Sequence, residues 1–284
     1  MKKFISGLLA AAFIFSAYTA SAEDVLYPNI DGIGGESIGF SVLKLALSKS
    51  GGDYNVKLSN ADVNQERARA LVEEGRLSVF DTGFQPTLED RFDPIYLPID
   101  RGILGWRLFI IHKENAGKFA SVEGLKDLQK YSAGQGNGWG DIAILENAGL
   151  TVKTASKIPY LIKMVGGNRF DMFPLGANEV FTFLDKYRDG DANLMVEEKV
   201  TLVYPYGRFY FVKKGNEKLA SAIRTGMEKA LDDGSLQALL KDHKFFADAF
   251  NRANLSDRVR IDIDTPGLTD GFKSIEDKWW YRPE

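Results

Sequence analysis

Apolar positions change their spacing repeatedly along the first eighty residues. Val25-Leu26-Tyr27 is a short continuous run of the kind a strand buries. Ile38, Val42 and Leu45 share one face of a helix over residues 37–49. Tyr54 to Leu58 alternates with the period of a strand, Gln65 to Glu74 reads as a helix, and Leu77 to Phe80 is again extended. A strand–helix–strand–helix–strand rhythm predicts a mostly parallel sheet covered by helices.

A loop containing Pro86, Pro94 and Pro98 then leads into a long apolar stretch, Ile103 to His112. Ser121 is placed to cap a short helix that turns Leu125 and Leu128 inward. A second series of the same kind follows. Its predicted elements are strand 131–133, turn 134–140, helix 141–148, strand 151–155, helix 159–165, strand 170–173 and helix 178–186. Residues 201–204 and 208–212 read as strands. Leu219, Ile223 and Met227, four apart, mark an amphipathic helix over 217–231. Ser235 is placed to cap another helix carrying Leu236, Leu239 and Leu240. The polar, turn-rich tail ends in Trp279-Trp280-Tyr281-Arg282-Pro283, whose aromatics are expected to pack onto the body.

The N-terminus adds a compartment. Lys2 and Lys3 precede an uncharged, mostly apolar run from Ile5 to Tyr18, which Ala20-Ser21-Ala22 closes in a small-x-small pattern before Glu23 and Asp24. That is the build of a secretory signal peptide, cut after Ala22. The chain has no cysteine, so neither a disulfide framework nor a lipid-modified cysteine at the cut is available. The expected location is the periplasm. Loss of residues 1–22 removes two lysines and no acid, leaving 34 basic against 39 acidic residues. That balance disfavours nucleic acid and anionic membrane as partners.

Several segments together resemble solute-binding protein family 3, the amino-acid-type receptors of ABC importers. They are 77–83 (Leu-Ser-Val-Phe-Asp-Thr-Gly), 87–91 (Thr-Leu-Glu-Asp-Arg), 121–128 with Gly124 and Asp127, and Gly134-Gln135-Gly136 followed by Trp139-Gly140-Asp141. Gly167 to Asp171 and Ala230 to Ser235 complete the set. The ending Trp280-Tyr281-Arg282-Pro283 resembles a poorly characterised branch of it. The resemblance implies an α/β, two-lobed type II periplasmic binding fold in which two crossing strands join the lobes. Residues 23–112 and 204–284 would form the first lobe and 113–203 the second. It also implies a small-molecule solute, closure of the lobes over it, an inner-membrane ABC permease as partner, a monomer, and no cofactor or metal.

A polar guest held out of water needs a partner for every charge, since an unpaired buried charge costs several kcal/mol. The resemblance puts the carboxylate-binding arginine at Arg91, which as a plain loop residue would pair with Asp90 or Asp93. Arg101 and Arg107, near the crossing, compete for the role or serve as interlobe latches. Gly136, Gly138, Trp139 and Asp141 form a strand–turn–helix whose backbone N–H groups can face a ligand. Trp139 either stacks on the solute or plugs its lobe. Asp81, Thr82 and Phe84 follow a parallel strand at the end where open sheets bind ligands, although Asp81 also suits a structural cap. Tyr206 and Arg208, beside Gly207, look toward the cleft. The amino-acid receptors carry an acid where this chain has Leu175 and Gly176, so either Glu179 meets an ammonium group or the guest has none.

Two other functions compete. A sensory module would use the same closure to dock on a membrane receptor. An enzyme, dehydratase-like on this fold, has little support: His112 and His243 are far apart, and no nucleophile elbow or metal-spaced cluster is present. No catalytic residue is assigned.

Overall fold

The computed structural model describes residues 22–187 and 193–283. The signal peptide read over residues 1–22 lies, except for Ala22, outside the described residues.

The first lobe opens with β1 (Glu23–Ile30), α1 (Ile38–Lys49), β2 (Tyr54–Val63), α2 (Gln65–Glu73), β3 (Val79–Gly83) and β4 (Phe92–Ile95). β1 and β2 pair in parallel. β1 meets the chain entering β3 through Ser78 N–H donating to the Leu26 carbonyl, 2.9 Å. The chain then crosses into β5 (Trp106–His112), α3 (Ala116–Phe119), α4 (Leu125–Leu128), β6 (Ser132–Gly136), α5 (Asp141–Asn147), β7 (Thr151–Ala155), α6 (Ile158–Gly166), β8 (Phe173–Gly176), α7 (Val180–Tyr187), β9 (Leu194–Val196) and β10 (Val200–Val203). It returns through β11 (Arg208–Lys213), which lies antiparallel between β3 and β4, and continues as α8 (Glu217–Asp232) and α9 (Ser235–Asp242). In the second lobe β6 pairs with β7 in parallel, while β5 runs antiparallel to β8, β9 and β10. The crossings lie side by side, with Tyr204 N–H on the Gly105 carbonyl (3.2 Å) and Ile99 N–H on the Arg208 carbonyl (3.0 Å).

The tail departs from its sequence reading. It forms α10 (Ala247–Asn251), β12 (Val259–Asp262) and α11 (Asp270–Lys273). β12 pairs in parallel with β10, so a stretch placed with the first lobe extends the second sheet. Buried Arg258 fixes it there, donating to the carbonyls of Ala253, Glu197 and Val200. Phe272 then returns to the first lobe, edge-on to Phe84 at 4.6 Å. Two caps also differ. Gly124 rather than Ser121 precedes α4, and left-handed Gly234 precedes α9, with Ser235 its first residue. The strand read over 170–173 lies later, at β8.

Helix packing in the first lobe depends on one small residue. α8 turns Leu219, Ile223, Met227 and Ala230 inward, against α1 with Val42, Leu43, Ala46 and Leu47. A Cβ on Gly226 would lie 1.8 Å from the Ala46 carbonyl oxygen. Gly226→Ala gains about 1 kcal/mol of helix propensity, but it must push two packed helices apart. Overpacking costs about 1–3 kcal/mol, so a net loss of up to about 2 kcal/mol is expected, read as a fall in the urea midpoint; a rise would show that the two helices separate at little cost.

Candidate functional site

A cavity of about 520 Å³ opens between the lobes. Ser37, Asp81 and Arg208 line it from the first lobe, and Asn178, Glu179 and Phe183 from the second. Asp81 reaches it from the middle of β3, two residues before that strand ends at Gly83. Its carboxylate lies against α1, where a Cβ on residue 39 would sit 2.0 Å from Asp81 Oδ1, so the position requires glycine. The Tyr27 hydroxyl donates to Asp81 Oδ1, and burial, then the Asp81 charge, holds that phenol well above its ordinary range.

Arg208, the first residue of β11, forks onto the same carboxylate. Nε and Nη2 lie 2.7 and 2.6 Å from Asp81 Oδ2. The Asp81 side chain is 2% exposed, while that of Arg208 is 33% exposed. One edge of the guanidinium is therefore fixed inside the lobe and the remainder faces the cavity. Buried Asp100 steadies the crossing behind it, accepting from the N–H groups of Gly102 (3.2 Å), Leu104 (3.2 Å) and Arg208 (3.1 Å). Burial pushes the Asp100 carboxyl up, and those three donors oppose the shift.

The second lobe has its own buried charge group. Arg107, on β5, lies 2.6 Å from Asp141 at the start of α5 and 3.7 Å from Glu179 just before α7. Its guanidinium stands 5.2 and 5.6 Å from the ring centroids of Tyr204 and Tyr206, and the Tyr204 hydroxyl donates to Asp141. Glu179 accepts the Gly176 N–H at 3.1 Å and keeps a third of its side chain exposed toward the cavity. Burial pushes its carboxyl above the ordinary range, against the pull of Arg107.

Of the residues singled out in the sequence, the structure brings Asp81, Glu179 and Arg208 to the cavity. Tyr206 is half-buried on the return crossing; its hydroxyl would be 2.6 Å from a Cβ on Gly83 and 4.0 Å from one on Gly140. Asp141 is engaged with Arg107. Trp139 lies over Gly136 and stacks on Phe173 at 6.3 Å, filling its own lobe, with Gly138 at the exposed turn before it. Thr82 and Phe84 are buried in the first lobe. Arg91 is elsewhere: it pairs with Glu73 at 2.7 Å and Glu66 at 3.4 Å on α2. Arg101 lines a different cavity, formed with the tail. Ser37, Asn178 and Phe183 were not singled out. Ser37 had a readable signal, standing just ahead of an apolar helix whose Phe40 N–H its hydroxyl caps at 3.1 Å.

No protein-family model matches the sequence, and no curated protein matches it. Solved structures do. An ancestral arginine-binding protein bound to arginine is 16% identical with a TM-score of 0.51, over 78% of this chain and 97% of that one. The amino acid ABC transporter substrate-binding protein AbpA of Streptococcus pneumoniae, bound to L-arginine, is 15% identical with a TM-score of 0.50, over 80% and 95%. The VFT2 domain of BvgS from Bordetella pertussis is 15% identical with a TM-score of 0.55, over 78% and 93%. The chain has the two-lobed α/β fold of periplasmic binding proteins.

Proposed function

We propose that this chain is an exported solute-binding protein that closes its lobes over a small zwitterionic guest, an amino acid in the first instance. The observation that carries this reading is the interlobe cavity, with a braced guanidinium on one wall and a partly exposed carboxylate on the other. Arg208 receives the guest's carboxylate as a charge-assisted pair. Glu179 takes the ammonium group, in place of the acid absent at Leu175 and Gly176. The arginine held by two of the solved neighbours makes amino acids the first guests to try. An inner-membrane ABC permease would receive the guest. Among the described residues no helix is long and apolar enough to cross a membrane.

The two adjacent crossings allow hinge bending with little unfolding. A thermal-shift screen of amino acids and organic acids should find a ligand that stabilises the protein, by about 2.7 kcal/mol at a hundredfold excess over Kd. Small-angle scattering should show a smaller radius of gyration with that ligand. A broad screen that gives neither stabilisation nor compaction would sink the proposal.

A further inference from the structure

A second cavity, of about 760 Å³, shares no lining residue with the interlobe one. The crossing supplies Arg101 to it, α9 supplies Gln237 and Lys241, and the tail supplies Lys278, Tyr281 and Arg282. Arg101 has left-handed backbone, φ 52°, which is costly for a residue with a side chain. It is held there by the tail. Tyr281 N–H donates to its carbonyl at 2.7 Å, and its Nη2 donates to the Lys278 carbonyl at 3.1 Å. Its Nη1 donates to Gln237 Oε1 at 2.5 Å.

Every one of those partners is neutral. Among the described residues Arg101 and Lys241 form no ion pair, and the buried Nε of Arg101 and Nε2 of Gln237 have no acceptor. Burial lowers the Arg101 pKa, as expected of a cation without a counter-charge. The other two cations have only solvent-exposed partners: Arg282 with Asp277 at 3.0 Å and Lys278 with Glu276 at 3.4 Å. Such pairs are weak and easily exchanged. Among the described residues Asp277 is the single acid lining the cavity. Four cations thus converge on one concavity in a chain whose net charge is −3.

We propose that this cavity is a second ligand site, for a small organic anion bearing carboxylate or phosphate groups. The guanidinium of Arg101, preset by the tail, and the ammonium of Lys241 bind its oxygens. Tyr281 and Phe250, edge-on to each other at 5.4 Å, stand beside its body. An anion seated there supplies the counter-charge that Arg101 and Lys241 do not find among the described residues.

Calorimetric titration of the full chain at fixed ionic strength tests the site, with citrate and inorganic phosphate as probes. Saturable binding of citrate is expected, weakened about tenfold or more in both Arg101→Gln and Lys241→Gln. Tighter binding of citrate than of phosphate assigns the site to organic anions, and the reverse order overturns that assignment. Arg91→Gln, on the exposed pair with α2, controls for net charge and should bind as the parent does. Lys241 is exposed, so its variant remains informative if Arg101→Gln fails to fold. The proposal is overturned by absence of binding up to about 10 mM, by equal binding in Lys241→Gln and the parent, or by a loss confined to Arg208→Lys, which would place the anion between the lobes.

Discussion

Arg208→Lys is expected to weaken binding of the interlobe guest on the order of 100-fold while the protein keeps its fold. Removing one member of a buried charge-assisted contact costs about 2–5 kcal/mol of affinity. Lysine retains a charge beside Asp81, whose side chain is 2% exposed and would otherwise be left without a cation. It loses the planar fork that lets one guanidinium hold Asp81 on one edge and a guest carboxylate on the other. Glu179→Gln gives the complementary result. It should weaken an amino acid about tenfold or more and leave an organic acid without an ammonium group nearly unchanged. Titration of both variants with the ligand found by screening, beside urea curves for each, separates binding from stability. Binding by Arg208→Lys equal to that of the parent would move the guest's anionic group to another cation.

How much of this was readable before folding differs from element to element. The first lobe was legible because its core is regular. Ile38 and Val42 recur at helical spacing, and burial alone selects that face. The Asp81 position was legible because the apolar run 77–80 marks a strand that carries Asp81, although that strand pairs antiparallel with β11 and not in the parallel ladder expected. Arg91 was misplaced because a loop arginine takes whichever carboxylates the fold delivers. Here α2 presents Glu66 and Glu73, seven residues and two turns apart, on one face beside it. That spacing was visible, but the neighbour of α2 was not. The tail hid a strand for a different reason. Val259, Ile261 and Ile263 alternate correctly with Arg260 and Asp262, yet the run is short and charged enough to look like a loop. Only the open edge of β10 makes it a strand.

Asp141→Ala should lower the stability of the protein by about 3–5 kcal/mol, the cost of leaving one partner of a buried ion pair alone. The Arg107 side chain is 4% exposed, and its buried Nε already lacks an acceptor among the described residues. Without Asp141 its remaining carboxylate is Glu179, 3.7 Å away on the other side. Asp141→Asn should lose less, because the amide oxygen can still accept from Tyr204 or Arg107. Replacing both partners with apolar residues, Arg107→Met with Asp141→Leu, should restore most of the loss, since a well-packed pair avoids the desolvation of two charges. Urea unfolding of the three variants measures these differences. A midpoint for Asp141→Ala equal to the parent's would mean that Glu179 or solvent already satisfies Arg107. The same experiment bears on binding. In Asp141→Ala the freed guanidinium competes for Glu179 and draws its charge from the cavity, so an ammonium-bearing guest should bind more weakly although Asp141 does not line the cavity.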